Sequence, residues 1–499
     1  MSSRLQRLRK TAGGLILVVM LLYVVLLIPG SDPPLPDLPD HQPFVWNQDE
    51  NWSALEAEFQ RAAQTDSALL SVQIDSGLNR IQELLTPFYR DTISPQSPLL
   101  AMLESEVFAL APKLAVRPSR LQEYMNLHSL IRRTVKDQSR RWDMNTVEAR
   151  QAVYRLLYGG RTAIEEILLQ LPMDTVASLV IADQEPSQTP SAEILGVQVH
   201  SGDLLVSRGG APTSALIARG SDYPGNFSHV ALVHVDEVTG EVSIIEAHIE
   251  VGVAVASVEQ YLADKKLRIM VLRLRSDHPA LVADPMLPHK AAELALRRAE
   301  REHIPYDFEM DSEDHSKLFC SEVASAPYAD LGVNLWMGVS TISSEGLASW
   351  LAAFGVTHFE TQEPSDLEYD PQLRVVAEWR DPETLWKDHV DNAVLDAMLE
   401  GAEKGDRLDY DPFMLPVGRV MKAWCRLLNG IGEAGAIPEG MSAAAALRND
   451  RFSQRHARLK DRVEALAGEF IAERGYRPPY WQLVSLAREA IATESERQS

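Results

Sequence analysis

Cysteine is nearly absent from this sequence, whose 499 residues contain two copies, Cys320 and Cys425. Two thiols cannot form a disulfide framework, and because no CxxC pair is present the usual cysteine zinc site is excluded. A single Cys320–Cys425 disulfide stays open if the domain lies in an oxidising compartment. Cys425 lies in an apolar helical pattern that predicts core packing. Cys320, in LFCSEVASAPY, is the thiol whose role has to be explained, by packing or by reactivity.

An excess of positive charge is also lacking. The formal net charge is −23, and the acidic residues are spread along the chain rather than gathered in a tail. Because phosphate contacts need a basic surface, this balance excludes nucleic acid as the expected partner. The glycine-containing stretch 208–225 has no GxxxxGK pattern, so no phosphate cradle is predicted. Nothing in the sequence requires a cofactor.

Charge of either sign is missing from Gly13 to Gly30, directly after a basic tip that spans residues 1–12. This uncharged apolar stretch is near the lower limit of about 17 residues for a membrane-spanning helix, so it predicts a transmembrane anchor. A cleaved signal peptide is the alternative, but no A-x-A-like site follows the apolar run. With the basic end in the cytoplasm, the bulk of the chain is expected in the periplasm or outside the cell, held at the inner membrane.

The rest of the chain divides by composition into five segments. A Pro/Asp-rich linker (31–45) precedes a helical region (46–181), and a second polar linker (182–193) leads into a segment of short β patterns (194–381). The last segment (382–499) is helical again. Strands followed by helices in 194–381 predict an α+β domain built on an antiparallel sheet packed on helices. The expected architecture is this domain flanked by two helical regions, with the N-terminal transmembrane helix.

The two helical regions carry no motif that assigns them a function. Prolines interrupt the first region repeatedly, which excludes one long coiled coil and favours a plain helical bundle. A spacer, or a docking surface for a protein partner, is the alternative. In the second region Tyr480 and Trp481 follow a Pro-Pro pair at a helix start. Packing is a simpler interpretation of these two aromatics than a ligand box.

A histidine with polar neighbours lies in the β-rich segment. Strand alternation in SHVALVHVD places His229 on the face opposite to His234, which is then an incidental histidine near the strand end. On the next strand Glu246 and His248 share a face. If DEVTG forms a four-residue loop, His229 lies opposite His248 with Glu246 diagonal to it. A shifted loop, or a bulge at Gly240, would bring Glu246 closer. Either register gives the imidazole a polar partner, as a catalytic histidine requires.

Cys320 is the candidate nucleophile for this base. The segment KLFCSEVASAPY predicts a short helix that begins near the cysteine and is limited by a proline. A helix N-terminus beside an imidazole can lower the pKa of a thiol to roughly 3.5–7.5. Glu322 in the first turn would oppose this if it pointed at the sulfur. Spacing alone leaves catalysis and packing equally open. A metal site that joins this thiol to His229, His248 and Glu246 is the remaining alternative, but it lacks the close-spaced pairs typical of zinc.

Four ordered motifs resemble the permuted papain-like branch of the NlpC-type cysteine hydrolases, the YiiX/YebB-like proteins: GDLLVSRG, FSHVALVHVD, IIEAHIEVGV and IPYDFEMDSEDHSKLFCSEVASAPY. The lecithin:retinol acyltransferase group is a more distant relative. The resemblance covers residues 194–381 and includes the permuted order, in which the histidine strand precedes the cysteine helix. It implies a permuted papain-like fold for this segment and says nothing about the two helical regions.

Transferred to this sequence, the resemblance makes Cys320 the nucleophile, His229 the base and Glu246 the third catalytic residue. His248 is the alternative orienting residue. The resemblance also places Tyr306 at the wall of the substrate cleft, where packing is an equally good interpretation. The backbone N–H of Cys320 is the implied oxyanion donor. No cofactor and no metal is implied.

The expected function is that of a membrane-anchored cysteine hydrolase of amidase or peptidase type. It would form an acyl-enzyme and act on peptides, cell-wall peptides among them. One alternative keeps the chemistry and changes the substrate to the acyl groups of lipids, as in an acyltransferase or a lipase. The other is an anchored scaffold whose papain-like domain is inactive. Intact Cys320, His229 and Glu246 argue against the scaffold, since nothing else requires these three residue types together.

Overall fold

The computed structural model describes residues 17, 20–30, 38–46, 48–429, 433 and 435–498. The predicted basic tip (1–12), part of the predicted anchor (13–16, 18 and 19) and part of the predicted linker (31–37) lie outside the described residues. A helix, α1, covers residues 20–27. Within the part of the chain that is described, no helix is both long enough and apolar enough to cross a membrane.

Five helices follow and form a bundle. They are α2 (Gln48–Gln64), α3 (Ser67–Leu85), α4 (Pro98–Val116), α5 (Leu121–Ser139) and α6 (Val147–Leu169). Three of them begin at a capping side chain, because Asp66, Ser97 and Thr146 each accept a hydrogen bond from a backbone N–H of the first turn. Apolar side chains at helical spacing, such as Leu70 and Ile74, pack into a single core.

A seven-stranded antiparallel sheet lies at the centre of the chain, in the order β1-β11-β8-β4-β5-β6-β7. Its strands are β1 (Leu179–Ile181), β4 (Leu204–Gly209), β5 (His229–Val235), β6 (Val242–His248), β7 (Gly252–Ala256), β8 (Lys266–Leu274) and β11 (Leu373–Trp379). Two small sheets accompany it, formed by β2 (Ser191–Ile194) with β3 (Val197–His200) and by β9 (Ser340–Thr341) with β10 (Glu360–Thr361).

Short helices connect the strands and cover the sheet. They are α7 (Pro212–Arg219), α8 (Val258–Ala263), α9 (Pro279–Ala283), α10 (Leu287–Arg301), α11 (Glu322–Asp330), α12 (Glu345–Phe354) and α13 (Asp366–Tyr369). Strand alternation buries both faces of β5. Val230 and Leu232 pack in the core that includes α10 and α11, whereas Ala231 and Val233 pack in the core that includes β2 and β3. Because α11 packs on β5, the residues just before α11 lie against the start of β5.

Four helices complete the chain: α14 (Pro382–Glu403), α15 (Leu415–Asn429), α16 (Ala443–Arg474) and α17 (Tyr480–Gln498). Helices α14, α16 and α17 share a core with α12 and α7. The predicted mixture of an antiparallel sheet with flanking helices is therefore confirmed. One difference lies in residues 179–181, which fall in the predicted helical region but pair as β1 with the end of β11. A strand of three residues is too short for its alternation to be visible in the sequence.

A layer of buried ion pairs joins the helical regions to the sheet. Arg161 on α6 bonds Glu165 and Glu368, each at 2.8 Å. Arg268 on β8 bonds Glu165 and, on α14, Asp388, each at 2.6 Å. None of these five side chains is more than 4 % exposed. We call them the ion-pair layer. Each charge in it has an opposite charge beside it, which is the condition under which charges are tolerated in a protein interior.

Candidate active site

The β5–β6 hairpin fixes the first part of the site. Its residue pairs run from Val235–Val242 to Ala231–Glu246, and the Asp236 N–H donates to Glu241 O at 2.9 Å. This is the register of the four-residue loop, and the shifted register is not observed. Gly240 has φ of +72°, a conformation that glycine adopts without a steric penalty.

Glu246 bridges two imidazoles on one face of this hairpin. Its Oε2 lies 2.8 Å from His229 Nε2, and its Oε1 lies 3.0 Å from His248 Nε2. The two rings are 5.5 Å apart between centroids and nearly parallel, at 28°. The unshifted register therefore already allows a diagonal hydrogen bond from His229 to Glu246. In the structure Glu246, and not His248, is the direct partner of His229.

The charge states in this cluster follow from burial and hydrogen bonding. Burial alone would raise the pKa of Glu246, but its hydrogen bonds to His229 and His248 outweigh burial and hold the pKa below its usual range. Because Glu246 is a carboxylate and accepts only, the proton of His229 lies on Nε2. Nδ1 of His229 is then free to act as a base. Burial lowers the pKa of His229, against the opposing effect of Glu246, so the ring is neutral near pH 7.

Cys320 lies in a turn two residues before α11, against the backbone at the start of β5. Its Sγ is 3.9 Å from Ser228 O. The N–H groups of Val230 and Ser321 and the Ser321 hydroxyl are near enough to favour the thiolate by hydrogen bonding. The pairing of β5 with β6 ends at Ala231–Glu246. The thiol thus lies against the backbone of β5 beyond the last residue pair that β5 forms with β6.

The prediction of a thiol with a lowered pKa is not what the structure gives. Cys320 is 4 % exposed, and burial raises the pKa of its thiol to about 12. The local donors oppose this effect without outweighing it. Glu322, which could have opposed a thiolate, bonds the Phe319 N–H at 2.9 Å instead, and burial raises its pKa to about 8. The resting site therefore holds a neutral thiol against the backbone on either side of His229, whose imidazole is neutral as well, and not a preformed ion pair.

Tyr306 lies beside this thiol. It forms an isolated bridge with Leu318, two residues before the cysteine, and stacks edge-on against Phe308 at 5.1 Å. Burial raises its pKa well above the usual value, and negative charge on Cys320 would raise it further. The ring is partly buried, so it contributes both to packing and to the surroundings of the sulfur.

Two residues near the site were not found from the sequence. Glu363 is 5 % exposed, and its charge would raise the pKa values of both Cys320 and Tyr306. Burial raises its own pKa well above the usual value. Its segment carries only loop signals, so no pattern pointed to it. Ser207 lies directly opposite His229 on β4. The alternation of GDLLVSRG could have placed it there, had that strand been aligned with β5.

A Cys320–Cys425 disulfide and a metal site are the other two interpretations of the cysteines and histidines. Cys320 and Cys425 are both free and buried, so the Cys320–Cys425 disulfide is not formed. Across the described residues, no group of three or more His, Cys, Asp or Glu side chains is arranged to hold a metal ion. The hydrogen bonds of Glu246 are directed at the two imidazoles instead.

Residues 198–377 match the model of a protein family that is described as "Permuted papain-like amidase enzyme, YaeF/YiiX, C92 family". The match confirms the resemblance seen in the sequence, and it covers all of the predicted site residues. This part of the chain is a domain of the cysteine peptidase or amidase type. No curated protein and no solved structure matches the chain.

Proposed function

We propose that the chain is a cysteine amidase in which Cys320 is the nucleophile, His229 the general base and Glu246 the residue that orients the base. The single observation that carries this assignment is the 2.8 Å hydrogen bond from His229 Nε2 to Glu246, which leaves Nδ1 as the free base. The position of the Cys320 thiol at the start of the same strand supports it. His248 holds the second oxygen of Glu246 and keeps the carboxylate in place.

The reaction proceeds by general-base catalysis in two steps. The substrate carbonyl approaches Cys320, whose proton passes to Nδ1 of His229 as the S–C bond forms and the carbonyl becomes an oxyanion. The oxyanion collapses, the C–N bond breaks, and the departing amine takes the proton from the imidazolium. Water then hydrolyses the acyl-enzyme with His229 again as base. The Cys320 N–H is the proposed oxyanion donor.

We place this chemistry at the outer side of the inner membrane, with peptides of the cell wall as substrates. The support is the uncharged stretch at the N-terminus together with α1, whose side chains Leu21, Leu22, Val24 and Val25 are each more than half exposed. An acyl group of a membrane lipid is the competing substrate, and the same exposed apolar residues favour it. A peptide and a phospholipid therefore have to be compared as substrates.

The test traps the acyl-enzyme. The full chain in detergent is incubated with a wall-type peptide amide, and separately with a phospholipid, and the intact mass is measured after rapid acid quenching. We expect an added acyl mass from the peptide, lost in Cys320→Ala and in His229→Ala. Cys425→Ala is the matched control, because its thiol is equally buried and packs against Ile437 and Met441.

The outcomes separate the candidate functions. An acyl mass from the phospholipid alone would replace the amidase with a lipid acyl hydrolase that uses the same residues. No adduct from either substrate, together with an unreactive Cys320, would leave the inactive scaffold.

A further inference from the structure

A cavity lies outside the catalytic cluster. It has a volume of about 160 Å³ and is enclosed mainly by α2, α4, α6, α14 and α17, so most of its wall comes from the two helical regions. Arg219 and Asn226 are its contributions from the matched range 198–377. None of Cys320, His229 and Glu246 lines it. The helical regions therefore build a pocket of their own.

Aromatic side chains dominate the wall of this cavity, among them Trp46, Trp52, Tyr158 and Trp481. Trp52 and Trp481 stack with their rings 4.9 Å apart and 3° from parallel. The indole N–H groups of both have no hydrogen-bond partner among the described residues. Tyr480 and Trp481, which the sequence assigned to packing, do pack, but they also line a space large enough for a small molecule.

Two acidic groups in the wall, Asp396 and Glu165, have a basic partner. Asp396 is held by Arg219 at 2.8 Å and by the Tyr480 hydroxyl at 2.6 Å, and Glu165 belongs to the ion-pair layer. Glu166 differs, because its carboxyl accepts the Tyr480 N–H at 3.0 Å and has no Lys or Arg partner among the described ion pairs.

A histidine, rather than a lysine or an arginine, lies beside Glu166. His389 Nε2 lies 3.7 Å from Glu166 Oε1. The other ring nitrogen, Nδ1, lies 3.1 Å from Leu385 O, which can only accept, so the ring proton is on Nδ1. Burial lowers the pKa of His389. The cavity therefore offers two acidic groups without a Lys or Arg partner among the described ion pairs. They are Glu166 and Glu56, and the Glu56 carboxylate accepts the Tyr476 hydroxyl at 2.8 Å.

We propose that this cavity binds a small organic cation of the quaternary ammonium class, with Glu166 as its counter-charge and the aromatic rings as its cage. Ring faces attract a cation electrostatically, and they do so most strongly where water is excluded. A quaternary ammonium has no N–H groups, so it needs no further acceptors. A primary ammonium would leave N–H donors unpaired in this wall, which is costly. The proposal goes beyond the amidase reaction and does not rest on it.

The protonation of Glu166 gives the proposal a pH signature. Burial raises the pKa of Glu166 to about 8. The other titratable groups in the wall are Glu165 and Tyr158 on its own helix, Glu56 on α2, His389 and Asp396 on α14, Arg219 on α7, and Tyr476 and Tyr480 near α17. A cation favours the carboxylate and releases its proton, so binding should strengthen as the pH rises from 6 through 8.

The experiment compares choline with 3,3-dimethylbutan-1-ol, in which carbon replaces the charged nitrogen. The full chain is kept in dodecyl maltoside, whose headgroup is uncharged, and binding is measured by calorimetry and by the fluorescence of the lining tryptophans. We expect choline to bind at least tenfold more tightly than its neutral isostere at pH 8, and the difference to shrink at pH 6. Equal binding of the two, or no binding of either, would overturn the proposal.

Glu166→Gln should remove the preference for choline and its pH dependence, while melting and peptide cleavage stay as in the wild type. Glu83→Gln, at an exposed position on α3, is the matched control and should change nothing. If Glu166→Gln does not fold, Trp481→Leu provides the second variant and should weaken choline binding at least tenfold. A choline preference that survives in a folded Glu166→Gln variant would contradict the assignment.

A second, independent observation concerns α15, whose apolar side faces outward. Its exposed residues repeat at helical spacing and are Val417, Val420, Met421, Trp424 and Leu427, each at least 45 % exposed. The side turned to the protein carries Gly418, Lys422 and Cys425. Soluble helices normally have the reverse arrangement.

The apolar face of α15 continues into α1. The Tyr23 hydroxyl donates to Phe413 O at 2.8 Å, and Arg419 donates to Leu26 O at 2.9 Å. The exposed apolar residues of both helices therefore form one surface. Helix α15 contains no acidic residue and carries Arg419, Lys422 and Arg426, although the chain as a whole has a net charge of −23. Lys422 is directed inward, to Pro438 O and Glu439 O.

We infer that α15 lies in the plane of a bilayer that contains anionic lipids, with Trp424 and Leu427 among the acyl chains and Arg426 at the headgroups. Outward apolar residues that include tryptophan, flanked by basic residues, are the features of interfacial helices. This inference deepens the proposed membrane location. It can fail while the amidase activity in detergent stays intact, so the two failures are distinguishable.

The test uses a fluorescent label on the full chain in a Cys320→Ser background. NBD is attached at Trp424→Cys, and at Val238→Cys as the control, since Val238 is 92 % exposed in the β5–β6 turn. On phosphatidylglycerol-containing vesicles, doxyl lipids should quench the label at position 424 at least threefold more than the label at 238. Equal quenching would overturn the inference. So would a label at 424 that is already shielded without vesicles, which would indicate a protein contact.

Discussion

The ion-pair layer and the Glu246 cluster are both buried and polar, but they are built differently. In the ion-pair layer, Glu165 lies between two guanidinium groups that are permanently charged, at 2.6 and 2.8 Å. In the cluster, Glu246 lies between two imidazoles, which change charge near neutral pH, at 2.8 and 3.0 Å. The first carboxylate is fixed by partners that cannot lose a proton. The second has partners that can take one up, and a thiol nearby that can supply it.

This difference separates a structural from a chemical use of a buried carboxylate. Permanent partners keep the charge balance of an interface constant, which suits the contact between α6, β8 and α14. Titratable partners allow a proton to move at little cost, which suits a catalytic base. The two sites should therefore respond in opposite ways to the same substitution.

Glu165→Gln should produce the largest effect on stability. It leaves Arg161 and Arg268 partly unpaired in the interior, so we expect a loss of about 3–5 kcal/mol in the free energy of unfolding. Urea denaturation of the full chain in detergent measures this loss. Per folded molecule, cleavage of the peptide should be unchanged. A variant of unaltered stability would show that the ion-pair layer does not hold the regions together.

Glu246→Gln should reduce activity strongly and stability only slightly. The amide keeps the shape but cannot stabilise an imidazolium, so kcat/KM for the peptide should fall by roughly 10²–10⁴-fold, as when a triad carboxylate is removed. The free energy of unfolding should change much less than in Glu165→Gln. Steady-state kinetics on the folded fraction provides the measurement. Full activity in this variant would exclude Glu246 as the orienting residue.

Acidification should separate the two clusters without mutation. The pKa of His229 is lowered by burial, so the base stays neutral at pH 7, and kcat/KM should fall as the pH drops below roughly 6.5, the ordinary value for histidine, and the ring takes up a proton. In the ion-pair layer, burial would raise the pKa of Glu165, but Arg268 and Arg161 outweigh burial and hold it below its usual range. Glu165 therefore contributes stability above roughly pH 4.3, the ordinary value for glutamate. This stability is lost as the pH falls below that value toward the lowered pKa. At pH 5 the melting temperature should thus be retained while activity is reduced.

The smallest effect is expected from His248→Gln. Glutamine reaches about as far as the histidine Nε2 and can still donate to Glu246 Oε1, so the carboxylate keeps its place and kcat should fall less than about tenfold. If His248 were instead the residue that orients the base, kcat would fall as far as in Glu246→Gln. Measuring both variants under the same conditions settles the order of the two residues.

The local features of the site could be predicted, whereas its electrostatics could not. Alternation along β5 and β6 and the DEVTG turn were enough to place His229, Glu246 and His248 on one face. The burial of Cys320 depends on α11 packing against β5, a contact between distant segments that no local pattern encodes. Its raised pKa was missed for that reason. Glu363 was missed because it lies in a loop.

In the helical regions, too, contacts between distant segments could not be predicted from local sequence patterns. Their helices could be predicted from spacing and prolines, but the ion-pair layer joins residues more than a hundred positions apart, such as Arg268 and Glu165. Tyr480 and Trp481 were rightly expected to pack. That they also border a cavity follows only from how α2, α6 and α17 meet.

The DEVTG turn has a consequence for how the enzyme can evolve. Asp236 Oδ1 binds the N–H groups of Val238 and Thr239 at 2.9 and 2.7 Å and fixes the length of the loop. Six residues lie between His229 and this turn, a span of roughly 23 Å along the strand. A one-residue insertion that shifted the register would turn Glu246 to the other face of the sheet. The proposed site thus depends on loop length as much as on residue identity, and a sequence that kept all three proposed catalytic side chains could still lose their arrangement there.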